Sequence, residues 1–130
     1  EEEVRTHYVS NFLYMAPEVE GSEGTASYDF PADVYSYGIL LYEIISGMIP
    51  YSGMNRRDPR IFLRIFYGLR PDLNEMAPGA CTTPEIKALT SACWDNNAEQ
   101  RPRFATVMHT LHLAIDAAPP TDRASAQHRR

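Results

Sequence analysis

The sequence predicts a mainly α fold in which shorter helices pack round one buried central helix. Three observations carry this expectation. Residues 33–47 form the longest apolar run, with apolar side chains at positions 34, 35, 37, 39, 40, 41, 42, 44 and 45. That spacing surrounds a helix rather than striping it, and a helix apolar all round is buried on every side. Further along, three segments repeat apolar residues at helical spacing behind start signals of Asp, Thr or Pro. Finally, 130 residues with 44% hydrophobic content suffice for one domain with its own core.

Residues 1–13 read as an exposed loop, acidic at Glu1, Glu2 and Glu3, then richer in hydroxyls, with no helical period. In the following Tyr14-Met15-Ala16-Pro17-Glu18, Pro17 confines Ala16 to an extended conformation, so a turn-like junction opens a short helical turn at Glu18. Residues 20–30 form a polar, glycine-bearing loop. The central helix is expected over 31–47, with Pro31 in its first turn and Gly47 just past its end. It does not read as a membrane span. It falls short of the ~20 residues a bilayer requires, carries Glu43, and is flanked by Asp29 and Asp33.

A second helix is expected over 58–68, with Asp58 as cap, Pro59 at the first position, Ile61, Phe62, Ile65 and Phe66 at helical spacing, and Gly68 ending it. A third, over 82–94, opens on a capping box of Thr82 and Glu85 and places Ile86, Leu89, Ala92 and Cys93 on one face, with Trp94 in the core. A fourth, over 103–116, aligns Phe104, Val107, Met108, Leu111 and Ile115 on one stripe, and Pro119-Pro120 stop it. Residues 117–130 have almost no apolar content and read as a disordered tail.

A net charge of −5 argues against a general nucleic-acid binder, which needs a basic face. Much of the acid sits early, at Glu1, Glu2, Glu3, Glu18, Glu20 and Glu23. Cys81 and Cys93 make no disulfide framework and no metal-binding spacing, so a reduced, intracellular (cytoplasmic) compartment is the expectation. There is no signal-peptide pattern and no initiator Met, so a fragment or a processed chain is expected.

Three motifs stand in order: Tyr14-Met15-Ala16-Pro17-Glu18, then Asp33-Val34-Tyr35-Ser36-Tyr37-Gly38, then Cys93-Trp94-Asp95 with Arg101-Pro102-Arg103-Phe104. Together they resemble the C-terminal part of the large lobe of a protein kinase catalytic domain, in its tyrosine-kinase-like, serine/threonine form. Ala16, Pro17 and Glu18 resemble the Ala-Pro-Glu motif that ends the activation segment. The second motif resembles the lobe's central helix, and the third its last helices. The resemblance implies a partial kinase domain over residues 1–116, with 1–19 as the end of the activation segment.

The resemblance also implies roles for single residues. Glu18 and Arg101 would form a buried ion pair joining the activation segment to the final helices; the plainer alternative is two solvated surface charges. Asp33 would anchor the backbone of the catalytic loop, and it also suits the first turn of any helix. Gly38 and Trp94 belong to the family's scaffold. Glu43 matches a position that in some kinases meets a basic residue of the peptide substrate. Ser10 and Asn11 stand where such kinases usually carry a Gly-Thr or Gly-Ser pair, and Asn11 would reach a catalytic carboxylate through its amide. Tyr14 stands where tyrosine kinases usually have Trp, which favours serine/threonine specificity. Thr6, Tyr8 and Ser10 are candidate phosphate acceptors, and phosphate there would order the loop by recruiting arginines.

The departures are as informative. The sequence has no Gly-rich loop, no paired strand Lys, no His-Arg-Asp loop and no Asp-Phe-Gly. This chain therefore holds no catalytic base, no metal ligand and no nucleotide cradle; ATP and Mg are implied only for a full-length kinase. The expected partners are a protein substrate or the missing remainder of the kinase domain. The alternative is a non-catalytic, pseudokinase-type helical interaction module.

Overall fold

A computed structural model describes residues 12–20, 30–76 and 82–118. Five helices are found among them: α1 (Pro17–Glu20), α2 (Phe30–Ser46), α3 (Arg60–Phe66), α4 (Pro84–Cys93) and α5 (Phe104–Ala117), with 3-10 turns at Leu73–Glu75 and Ala98–Gln100. No strand occurs among the described residues, and no described helix is long and apolar enough to cross a membrane. Residues 1–11 with Thr6, Tyr8, Ser10 and Asn11, residues 21–29, residues 77–81 with Cys81, and residues 119–130 lie outside the described residues.

The centre of the fold is α2. On one side Tyr35, Ile39 and Tyr42 pack with Ala16, Ala32, Met76 and Trp94. On the other, Val34 and Leu41 meet Leu89, Cys93 and Val107. The close approach of α2 and α4 depends on Gly38: a Cβ there would lie 2.7 Å from the Cys93 Cβ. Gly47, at φ +68°, ends α2 in the left-handed conformation that glycine adopts without penalty. Its N–H donates to the Glu43 carbonyl at 2.9 Å. Burial of α2 is not complete on every side. Leu40 and Ile44 are 43% and 67% exposed, because no described element packs against that stripe.

A third cluster joins Leu13 and Tyr51 to the inner face of α3, at Ile61 and Ile65. The helix starts two residues later than the sequence suggests, at Arg60. Pro59, helical at φ −57° and ψ −23°, holds the N-cap position without a capping bond, and Asp58 supplies the capping oxygen. Its carboxylate accepts the Arg60 N–H at 3.0 Å from outside the helix and also receives the Arg60 guanidinium. Gly68, at φ +108°, ends the segment. Its N–H donates to the Ile65 carbonyl and the Leu69 N–H to the Arg64 carbonyl, closing a Schellman motif.

The N-cap of α4 is Thr83 rather than Thr82: its hydroxyl accepts the Ile86 N–H at 3.3 Å. Pro84 sets this register. It occupies the first helical position and holds the residue before it extended, at ψ 157°. In α5 only Val107 is fully buried. Met108 and Ile115, expected on its inward stripe, are exposed, since α5 meets the rest of the described chain mainly along α4.

Candidate functional site

The residues singled out by the sequence converge where residues 12–18 meet the start of α2 and the turn before α5. Ala16 is buried against α2, and Pro17 opens α1. One residue further, Glu18 faces Arg101 across 83 positions of sequence. The Arg101 guanidinium donates from Nη1 to Glu18 Oε1 at 2.6 Å and from Nη2 to Oε2 at 2.9 Å. Its remaining donors reach the Pro31 carbonyl and, through Nε, the Asp95 carbonyl, both at 2.9 Å. One side chain thereby ties together the activation-segment-like turn, the start of α2 and the turn after α4.

This pair is half-buried rather than buried. The Arg101 side chain is 0% exposed, whereas that of Glu18 is 38% exposed. The carboxylate sits on the rim of a one-turn helix, so water reaches the acid while the base is enclosed. Burial alone would raise the Glu18 pKa. The hydrogen bonds from Arg101 and the backbone, with the charges of Arg101 and Arg70, outweigh it and hold the carboxyl below its ordinary value.

Behind this pair lies Tyr35, wholly buried, with two guanidinium groups against its ring. The Arg70 and Arg101 Cζ atoms stand 4.9 and 5.0 Å from the ring centroid. Arg70 donates to the carbonyls of Trp94 (2.9 Å), Ile65 (2.9 Å) and Leu69 (2.7 Å) and to Asn96 Oδ1 (2.9 Å). It binds the ends of α3 and α4 to the same aromatic ring. The sequence does not single out Arg70, and it marks Tyr35 only as one apolar position of the central-helix motif. The partners of Arg70 are mostly carbonyls, and no residue pattern marks those.

The turn before α1 is held a second time. The Tyr14 hydroxyl donates to Glu43 Oε2 at 2.6 Å, and the Ser36 hydroxyl to the Tyr14 carbonyl at 2.7 Å. Burial first, then the hydrogen bond and charge of Glu43, push the Tyr14 hydroxyl up to about 12. Glu43 is thus half-buried and engaged within the chain. Asp33 stands exposed in the first turn of α2. Trp94 packs in the core beside Tyr42, with ring centroids 6.3 Å apart.

The residues present do not fit a nucleotide or its metal. No three or more His, Cys, Asp or Glu side chains gather into a metal-holding group among the described residues, and the sequence has none of the loops that cradle ATP phosphates. What the arrangement does is tie residues 14–18 to a helical floor.

Comparison with known proteins agrees with this architecture. The family of protein tyrosine and serine/threonine kinases matches over residues 1–111. The serine/threonine-protein kinase A-Raf of Sus scrofa is 33% identical over 115 residues, which cover 88% of this chain. The chain spans 19% of that relative's length.

Proposed function

The chain belongs to the protein tyrosine and serine/threonine kinase family, and we propose that it forms the substrate-side, C-terminal part of a kinase domain that transfers the ATP γ-phosphate to serine or threonine of proteins. The observation that carries this is the forked contact of Arg101 with Glu18. It fixes the end of the activation-segment-like turn to the helical scaffold, and phosphoryl transfer is mainly a matter of such positioning. The relative's printed name, a serine/threonine-protein kinase, supports the acceptor class.

In this reading Asp33 anchors the catalytic loop through charge-assisted bonds to backbone N–H groups. Its exposure beside the open stripe of Leu40 and Ile44 leaves room for the remainder of the domain. Asn11 and Glu43 are the substrate-facing candidates, with Glu43 set in place by Tyr14. Thr6, Tyr8 and Ser10 are the candidate phosphate acceptors of the loop. ATP and Mg would bind the full-length kinase.

These 130 residues alone are then inactive, since they supply neither catalytic base nor nucleotide site. Incubation of the purified chain with labelled ATP and a generic protein substrate should give no transfer above background. Transfer that tracks the chain through purification would overturn the proposal.

A further inference from the structure

Helical geometry divides the exposed apolar residues of α5 between two flanks. Phe104, Met108 and Ile115 share one of them. It is the flank where Phe104 meets Tyr37 edge-on, with ring centroids 5.8 Å apart. Leu113 lies on the opposite flank and is 58% exposed. Beside it a cleft of about 410 Å³ opens between the end of α5 and the start of α4. Leu113, Thr110, Ala114 and Ala117 line it from α5, and Thr83 and Glu85 from α4.

One helix thus carries both a projecting side chain and a hollow. Thr110 and Ala117, about one turn to either side of Leu113, are small, and so is Ala114. Small side chains at a contact let a second helix approach closely. A projection and a hollow on the same patch meet the condition for an isologous contact, in which each copy offers both. The charges agree with that symmetry. His109 and Asp116 are exposed, one turn before Leu113 and about one turn after it, on the side of α5 next to Leu113. Two such helices, antiparallel about a two-fold axis at Leu113, bring each His109 beside the partner's Asp116. A parallel pairing would set aspartate on aspartate, which is unfavourable.

We propose that this flank of α5 is a homodimer interface, covered by the α5 of a second copy running antiparallel. Leu113 of each chain enters the other's cleft between Thr110, Ala114 and Ala117, and His109 donates to the partner's Asp116. A neutral imidazole keeps one N–H donor, so the contact needs no protonation. Two polar contacts then flank an apolar centre, the usual order of core and rim at an interface. The face is argued from α4 and α5 alone and holds whether or not the chain takes part in phosphoryl transfer.

Sedimentation velocity of the 130-residue chain over rising concentration tests it. The wild-type chain should pass from monomer to dimer. Leu113→Glu, which sets two carboxylates at the axis, should leave it monomeric throughout. His109→Glu faces the partner's Asp116 with a like charge and should weaken the dimer at least about tenfold. Adding Asp116→Lys to His109→Glu should restore the affinity to within about threefold, because the opposite charges then meet again. These side chains are exposed, so the melting temperature should stay put. Should Leu113→Glu fail to fold, Leu113→Ala removes the projection without adding charge. Leu40→Glu, on the open stripe of α2, should leave the dimer intact. A chain monomeric at every concentration, a dimer indifferent to the Leu113 and His109 variants, or a His109→Glu defect that Asp116→Lys does not repair would overturn the proposal. So would a dimer lost in Leu40→Glu and kept in Leu113→Glu, since it would assign association to the stripe on α2.

Discussion

Arg101 holds both carboxylate oxygens of Glu18, at 2.6 and 2.9 Å, while its own side chain is shut off from water. The geometry is asymmetric. Removing the acid leaves a guanidinium that still donates to two carbonyls. Removing the base leaves those carbonyls and a carboxylate without their donor.

Arg101→Ala should therefore destabilise the fold strongly, by about 2–4 kcal/mol, below the upper range for buried pairs because Glu18 is partly hydrated. Arg103→Ala, two residues on and exposed, should shift stability by no more than about 0.5 kcal/mol. Thermal unfolding of the two variants side by side is the check. Equal and small shifts would show that the pair does not hold the turn to the scaffold.

The same pair sets a pH dependence. Folding lowers the Glu18 pKa from its ordinary 4.5, so the ionised acid stabilises the native state above that value. The contribution fades as pH falls through the lowered native value. Denaturant unfolding from about pH 6 down to about pH 3 should show wild-type stability falling more steeply than that of Glu18→Gln, whose amide does not titrate there. Parallel curves would contradict this.

Gly38 lets α2 approach α4, and an added Cβ would stand 2.7 Å from that of Cys93. Gly38→Ala should cost about 1–3 kcal/mol from overpacking, despite the better helix propensity of alanine. Gly53→Ala, where nothing lies within 4 Å of the new atom, serves as the neutral control. A stabilised Gly38→Ala protein would show that the two helices part without penalty.

Arg70→Lys preserves the charge and discards the planar fork. A lysine ammonium cannot reach three carbonyls and Asn96 while lying flat on Tyr35. The substitution should cost about 1.5–3 kcal/mol, the range for hydrogen bonds to charged groups. Chemical denaturation decides it. A variant as stable as wild type would reduce Arg70 to a surface charge.

What the sequence made legible follows from what residue types can encode. Gly47 and Gly68 ended their helices because only a residue tolerant of positive φ suits those positions, and glycine announces that. The central helix was visible from its apolar density. The start of α4 was displaced: Thr82 carries capping chemistry, but Pro84 makes Thr83 the residue held extended before the first turn. Composition alone did not show that Leu40 and Ile44 stay open, because openness depends on which element arrives opposite. The stripe on α5 looked like a core face, yet only Val107 is enclosed. The partnership of Glu18 and Arg101 was expected from family resemblance, not from periodicity, and the placing of two arginines against the Tyr35 ring had no sequence signature.

The proposed role of this chain, the substrate-side part of a serine/threonine kinase domain, is open to direct assay. The most direct test is γ-phosphate transfer by the full-length polypeptide that carries these residues, with identification of the phosphorylated amino acid, alongside the 130-residue chain alone. Phosphoserine or phosphothreonine is expected from the full-length protein, and nothing from the chain by itself. Phosphotyrosine as the main product, no transfer by the full-length protein, or transfer by the chain alone would contradict it.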